Sequence, residues 1–251
     1  MRQARPLLLA LALLATATGA RASGVSLRWD HCYGDGGVRN KNFACDTNVG
    51  AGTLVGGFTL GADLAQVSGN EIVLDLASAS EYLPAWWDLY NVGSCRPTSL
   101  GMNVFNPTAV NCLDWGAGVE LGGIGAYNLF QRSDNTARIV AVIVVAPSFL
   151  QNLVAGQEYF SFNITINHQK SAGGTGVCLG CETPACIVFT SINITTPILA
   201  NNRKITGPAY GGDSDFCSWQ GGGITAGSGA ACTAATPTAK RTWGAVKALH
   251  R

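Results

Sequence analysis

Charge is scarce in this chain. Lys, Arg, Asp and Glu make up 12% of its 251 residues, about half of the roughly 25% found in ordinary globular domains. A formal net charge of +1 provides neither a basic field for nucleic acid nor an acidic tail, so nucleic acid is excluded as a partner. Histidine is scarcer still, at three residues, and His31 and His168 are the only two before His250. The nucleophile elbow G-x-S-x-G, the zincin H-E-x-x-H and the Walker lysine motif are all missing. No apolar run approaches the ~20 residues of a membrane span except at the N-terminus. What is abundant is apolar residues, at 47%, and glycine, at 32 residues. The first rules out intrinsic disorder, and the second predicts many turns.

The N-terminus reads as an export signal. Arg2 and Arg5 precede an apolar run from Pro6 to about Ala15, and Ala20-Arg21-Ala22 forms a small-x-small cleavage site. A charged start, a short apolar centre and an A-x-A end are the marks of a secretory signal peptide over residues 1–22. Loss of Arg2, Arg5 and Arg21 turns the +1 precursor into a mature chain in which acids outnumber bases by two. The expectation is a secreted, periplasmic or extracellular protein with no integral membrane segment after cleavage.

Export gives the cysteines their meaning, because thiols in an oxidising compartment usually pair. All nine lie beyond the signal: Cys32, Cys45, Cys95, Cys112, Cys178, Cys181, Cys186, Cys217 and Cys232. Proximity suggests Cys32 with Cys45, Cys95 with Cys112, and Cys217 with Cys232. Each bridge would close a loop rich in Gly or Asn, worth roughly 3 kcal/mol in the chain-entropy model. That scheme leaves Cys178, Cys181 and Cys186 as a cluster with one spare thiol. Cys178-x2-Cys181 has a zinc-like spacing, and Cys186 with His168 would complete a Cys3His set. A second C-x2-C is absent, however, so a disulfide plus a spare thiol is the expected arrangement.

Period-two alternation dominates the rest. Val25, Leu27 and Trp29 share one face of a strand, as do Ile72, Leu74 and Leu76. Residues 159–168 place Phe160, Phe162, Ile164 and Ile166 on one side and Ser161, Asn163, Thr165 and Asn167 on the other. Residues 138–146 are apolar at both parities, which predicts a central strand covered on both faces. Residues 186–196, rich in Ile, Val, Phe and Thr, are expected to pair with 159–168 as a hairpin whose tip, 169–185, is stapled by cysteines. Helical signals are confined to short turns at 84–90 and 148–154. The fold class expected is all-β, an antiparallel β-sandwich of jelly-roll or Ig-like type with disulfide-stapled loops, as one domain over residues 23–232. Residues 233–251 read as a linker and a short basic tail, in which Trp243, Val246 and Leu249 fall three apart.

Candidate chemistry is thin. In the 30–48 loop Asp30, Asp35 and Asp46, with nearby Asn residues, offer hard oxygens for Ca2+, but the spacing matches no EF-hand, and Asp and Asn are ordinary turn residues. No metal or other cofactor is therefore expected. The segment 81–90 concentrates Tyr82, Trp86, Trp87 and Tyr90. If extended, it turns Trp86 and Trp87 to opposite faces, so that one could stack on a sugar ring; a short helix after Pro84 would instead place both in the core, where Trp usually lies. The carboxylate pairs Glu81/Asp88 and Asp114/Glu120 are the candidates for glycoside hydrolysis, a matter of their separation in space. Asn163-Ile-Thr165 and Asn193-Ile-Thr195 match the glycosylation acceptor but lie inside expected strands. The reading that results is an exported, non-catalytic β-sandwich with a structural, adhesive or binding role at the envelope or outside the cell. Its expected partners are a glycan or an envelope protein. A carbohydrate-binding module using the aromatic segment and a secreted hydrolase are the alternatives.

Overall fold

The structure is a computed structural model that describes residues 23–105, 110–130, 133–210 and 214–221. The expected signal peptide, the 233–251 tail and Cys232 lie outside the described residues. In chain order the strands are β1 (Gly24–Trp29), β2 (Asn40–Lys41), β3 (Ala51–Thr59), β4 (Leu64–Val67), β5 (Gly69–Ser78), β6 (Leu100–Asn103) and β7 (Leu113–Asp114). They continue as β8 (Leu121–Leu129), β9 (Thr136–Val144), β10 (Gln151–Leu153), β11 (Glu158–Asn167), β12 (Ala185–Thr195), β13 (Arg203–Ile205) and β14 (Phe216–Trp219). Among the described residues the helical content is confined to 3-10 turns such as Ala85–Trp87 and Pro147–Phe149. The chain is all-β.

Two large sheets enclose one core. A five-stranded sheet runs β1-β3-β11-β6, with β7 added beside β11, and a seven-stranded sheet runs β2-β14-β12-β5-β9-β8, with β13 on β12. The alternating apolar residues face inward as their pattern predicts: Val25, Leu27 and Trp29 on β1, and Ile72, Leu74 and Leu76 on β5, are buried in a common cluster. Phe162 of one sheet meets Phe189 of the other edge-on, with ring centroids 5.2 Å apart. That contact corrects one expectation. Residues 159–168 and 186–196 do not form a hairpin: β11 pairs with β3 and β6, and β12 with β5. Their connection carries the chain between the sheets, so both strands turn an apolar face to the same core.

A bulge corrects a second. Phe160 is opposite Gly57 and Phe162 opposite Gly56, so Ser161 is an extra residue on β11. One inserted residue reverses the side-chain parity. Phe160 therefore packs outside the main core with Val55, Cys32 and Cys112, while Phe162, Ile164 and Ile166 stay inside. Gly56 has a steric role here, since a Cβ would collide with the Phe162 ring.

A third concerns residues 138–146. β9 is central, between β5 and β8, but among the described residues only one face is covered. Ile139, Ala141 and Ile143 are buried, whereas Val142 and Val144 are 43% and 49% exposed. Valine there satisfies the β-propensity of a central strand without a layer above it.

Candidate binding surface at a disulfide-locked pole

At the end where β3 begins, β5 and β11 end and β12 begins, three long loops (42–50, 79–99 and 168–184) meet. They contain little repetitive backbone pairing, so side chains and cross-links must hold them. Cys45–Cys181 ties the first loop to the third and Cys95–Cys178 the second to the third, across sequence separations of 136 and 83. Cys32–Cys112, 80 residues apart, fastens the 30–37 turn to the segment before β7. Cys186 is disulfide-bonded as well. None of the neighbour pairings holds. Among the described residues the free thiol is Cys217, buried in the core rather than in the 178–186 cluster. Proximity along the chain is a poor guide here because sheet crossovers bring distant loops to one end, while Cys217 faces the core from β14. Burial pushes its thiol well above the ordinary range, so it stays protonated and inert.

Beneath the loops lies an aromatic floor. Trp219 stacks on Phe43 at 3.9 Å between centroids and touches Trp29, Trp86, Trp87 and His168 at 4.6 to 6.0 Å. Its indole N–H donates to the Cys181 carbonyl, and that of Trp86 donates to the Ser171 hydroxyl. Pro84 ends the extended approach, and the 3-10 turn that follows directs both Trp86 and Trp87 inward, each 0% exposed. The outward Trp of an extended segment is therefore absent, and the alternative of two core tryptophans after Pro84 holds. Tyr82 and Tyr90 remain exposed, although the Tyr90 hydroxyl is engaged, donating to the Ile124 carbonyl on β8.

Arg96 is the residue that sequence reasoning missed. It is 1% exposed, yet its guanidinium lies 3.6 Å over the Trp86 ring and donates to the carbonyls of Trp86, Gln169 and Asn167. A planar cation with five donors is suited to capping several loop carbonyls at once. Burial pulls its pKa down to about 9, so it remains charged at neutral pH. The only available hint was an arginine isolated between Cys95 and Pro97 in a charge-poor chain. Asp88 accepts from the Cys95 N–H and Lys170 donates to the Cys95 carbonyl, fixing that bridge from both sides. His168 packs edge-on against Phe43 and Trp219, and desolvation together with Arg96 and Lys41 lowers its pKa. It cannot complete a Cys3His zinc site, because Cys178, Cys181 and Cys186 are all oxidised.

On this floor the loops raise Val49, Tyr82, Val92 and Leu179 into solvent. Such side chains on loops positioned by a rigid frame are the usual substrate of recognition.

No family model, curated protein or solved structure matches the chain.

The remaining candidates are dispersed. Asp30 is paired with Lys41 at 2.6 Å. Asp35 accepts from the N–H groups of Val110 and Asn111 and from the Asn111 amide; burial opposes its charge, but these bonds outweigh it and hold its pKa below the usual range. Asp46 is exposed. The three carboxylates thus sit in three different settings. The group of ligand-type side chains that does converge among the described residues is Cys32, Asp35 and Cys112, and its two sulfurs are bonded to each other. Asp114 and Glu120 do come near each other at a turn where Glu120 folds over Gly116, and both Glu120 carboxylate oxygens are buried without a hydrogen-bond partner. Desolvation, with Asp114 adding to it, raises the Glu120 pKa. Glu120 is 5% exposed, so the pair does not face an open cleft of the kind in which glycoside hydrolysis places its two carboxyl groups. Asn163 and Asn193 lie on β11 and β12, where their amides donate to the Phe105 carbonyl and to Glu71. A shallow cavity of about 380 Å³ opens where β12 passes from β14 to β13, lined by Phe189, Thr190, Lys204 and Asp215 among others.

Proposed function

We propose that this protein works outside the cytoplasm as a non-catalytic β-sandwich binding or adhesive module that recognises its partner through the disulfide-locked pole. The observation that carries the reading is the pairing of two long-range disulfides with a fully buried tryptophan–arginine floor beneath loops that present Val49, Tyr82, Val92 and Leu179. Rigid loops lose little entropy on binding, so pre-organisation of this kind favours recognition. The disulfides fit an oxidising compartment, in keeping with the signal-like residues 1–22, and no helix among the described residues is long and apolar enough to cross a membrane.

The partner class favoured is a glycan or protein of the cell envelope or extracellular matrix. A glycan would now be met by Tyr82 and Tyr90 rather than by the buried tryptophans. The test is binding of the mature chain to a glycan array and to purified envelope polymer, with Tyr82→Ala, Val92→Asp and Leu179→Asp as variants. The reading expects binding that these exposed substitutions abolish while the melting temperature stays unchanged. Binding that survives all three, or turnover of glycoside or ester substrates that is lost in Asp114→Asn, overturns it.

A further inference from the structure

Beneath the disulfide-locked loops sits a titratable side chain with no hydrogen bond to explain its position. His168 directly follows β11 and is 5% exposed, yet neither of its ring nitrogens has a hydrogen-bond partner among the described residues. A neutral imidazole carries one N–H donor and one acceptor nitrogen, and buried polar atoms of that kind are normally paired. Here the ring is held instead by edge-on contact with Phe43 and Trp219, each 5.8 Å away between centroids. It packs as an apolar ring does, which suits the neutral form alone.

The charged groups around it oppose a second proton. Arg96, from the 79–99 loop, and Lys41, on β2, both act on the ring with positive charge. Asp30 shares the Lys41 ammonium at 2.6 Å without cancelling that effect. β14 contributes the neutral Trp219, and on the ring's own loop Lys170 is turned to the Cys95 carbonyl. From the 42–50 loop the Val49 carbonyl favours the proton but is outweighed. Burial first, then Arg96 and Lys41, lower the His168 pKa below the usual histidine value.

The loop over this ring is lightly held. The His168 N–H donates to the Gly50 carbonyl, Asn48 and Ala172 exchange two hydrogen bonds at an exposed site, and Phe43 and Gln220 exchange two more. Cys45–Cys181 is its covalent anchor. A loop fixed in this way can lift and remain attached. We propose that His168 makes the pole acid-sensitive: a proton taken up by its ring in a mildly acidic medium loosens the 42–50 loop, Phe43 included, from Trp219 and the 168–184 loop, while Cys45–Cys181 keeps it tethered and the two sheets stay intact. The direction follows from linkage. A histidine that resists protonation when folded adds stability above its unfolded value of ~6.5, and this is lost as pH falls from there through the folded value. A partner seated on the pole is then held near neutrality and released in acid. That consequence rests on the binding reading above, whereas the loosening itself does not.

Hydrogen exchange of the oxidised mature chain, read by mass spectrometry at about pH 7 and about pH 5.5, within the range where histidine titrates, tests this with no partner present. Rates are corrected for the intrinsic pH dependence of exchange. Peptides covering 42–50 and 168–184 are expected to lose protection by about threefold or more at the lower pH, while those of β5 and β9 keep theirs. His168→Phe offers a ring to the same aromatic edges but cannot titrate, and is expected to remove the difference. Lys41→Met takes away one opposing charge and should shrink the loss of protection, which keeps the proposal testable if His168→Phe does not fold. Pole protection that is the same at both pH values, or that falls equally in His168→Phe or Lys41→Met, overturns it. So does a loss of equal size in β5 and β9, since the whole chain would then be opening. A failed glycan array bears on the binding reading and leaves this exchange pattern as it is.

Discussion

The loop pole and the outer face of the seven-stranded sheet solve opposite problems. The pole is irregular backbone, 42–50, 79–99 and 168–184, whose peptide groups have no ladder to join. It is held by Cys45–Cys181, Cys95–Cys178, the tryptophan floor and the carbonyl-capping Arg96, and its surface residues need only point outward. The sheet face has the reverse balance. Its backbone is satisfied by continuous pairing over β12-β5-β9-β8, so it tolerates apolar side chains with no described layer above them. Where hydrogen bonding is local and regular, side chains are free to serve an interface; where it is not, they are committed to structure.

Removing the cross-links is the strongest way to break that contrast. Cys45→Ala/Cys181→Ala should cost about 4–5 kcal/mol in the chain-entropy model, with Cys95→Ala/Cys178→Ala close behind, as read from urea midpoints. The pole should be the first region to exchange amide hydrogens. Substitution of the buried cation comes next. Arg96→Met strands the carbonyls of Trp86, Gln169 and Asn167, and a loss of about 2–4 kcal/mol is expected in the same assay. Within the sheets, Gly56→Ala forces the Phe162 ring to move, and should lower stability by roughly 1–3 kcal/mol without touching the pole.

The smallest effect has a sign that depends on pH. Glu120 has its folded pKa raised by burial, so the folded state holds the proton more tightly than the unfolded chain. Its contribution is favourable below the ordinary carboxylate range and is lost as pH rises through the folded value. Glu120→Gln should therefore raise the melting temperature at pH 7, by a gain of about 1 kcal/mol, and change little at pH 4. A gain of equal size at both pH values would show that the Asp114–Glu120 pair is not responsible.

Much of this architecture was legible along the chain. The β class, strands over 25–29 and 71–77 and the inward phase of Ile72, Leu74 and Leu76 follow from a two-residue period that needs no partner to be seen. The 159–168 strand shows where that ends: its pattern is right from Phe162 onward, but the Ser161 bulge, which depends on the fit of Phe162 over Gly56, moves Phe160 to the other face. The aromatic segment was visible as composition, whereas its inward direction rests on the 3-10 turn after Pro84 and on the space left by Trp219.

By itself, then, the sequence determined the all-β class and the expectation of a disulfide-bonded chain, because backbone propensity and composition act over short range. Only the tertiary structure decided which cysteines bond, that β11 and β12 belong to different sheets, that Trp86 and Trp87 are floor rather than surface, and that Arg96 is buried among carbonyls. The physical reason is common to all four. Each is a contact between segments many tens of residues apart or between sheets, and spacing along a chain carries no information about which loops meet at the same end of a two-sheet core.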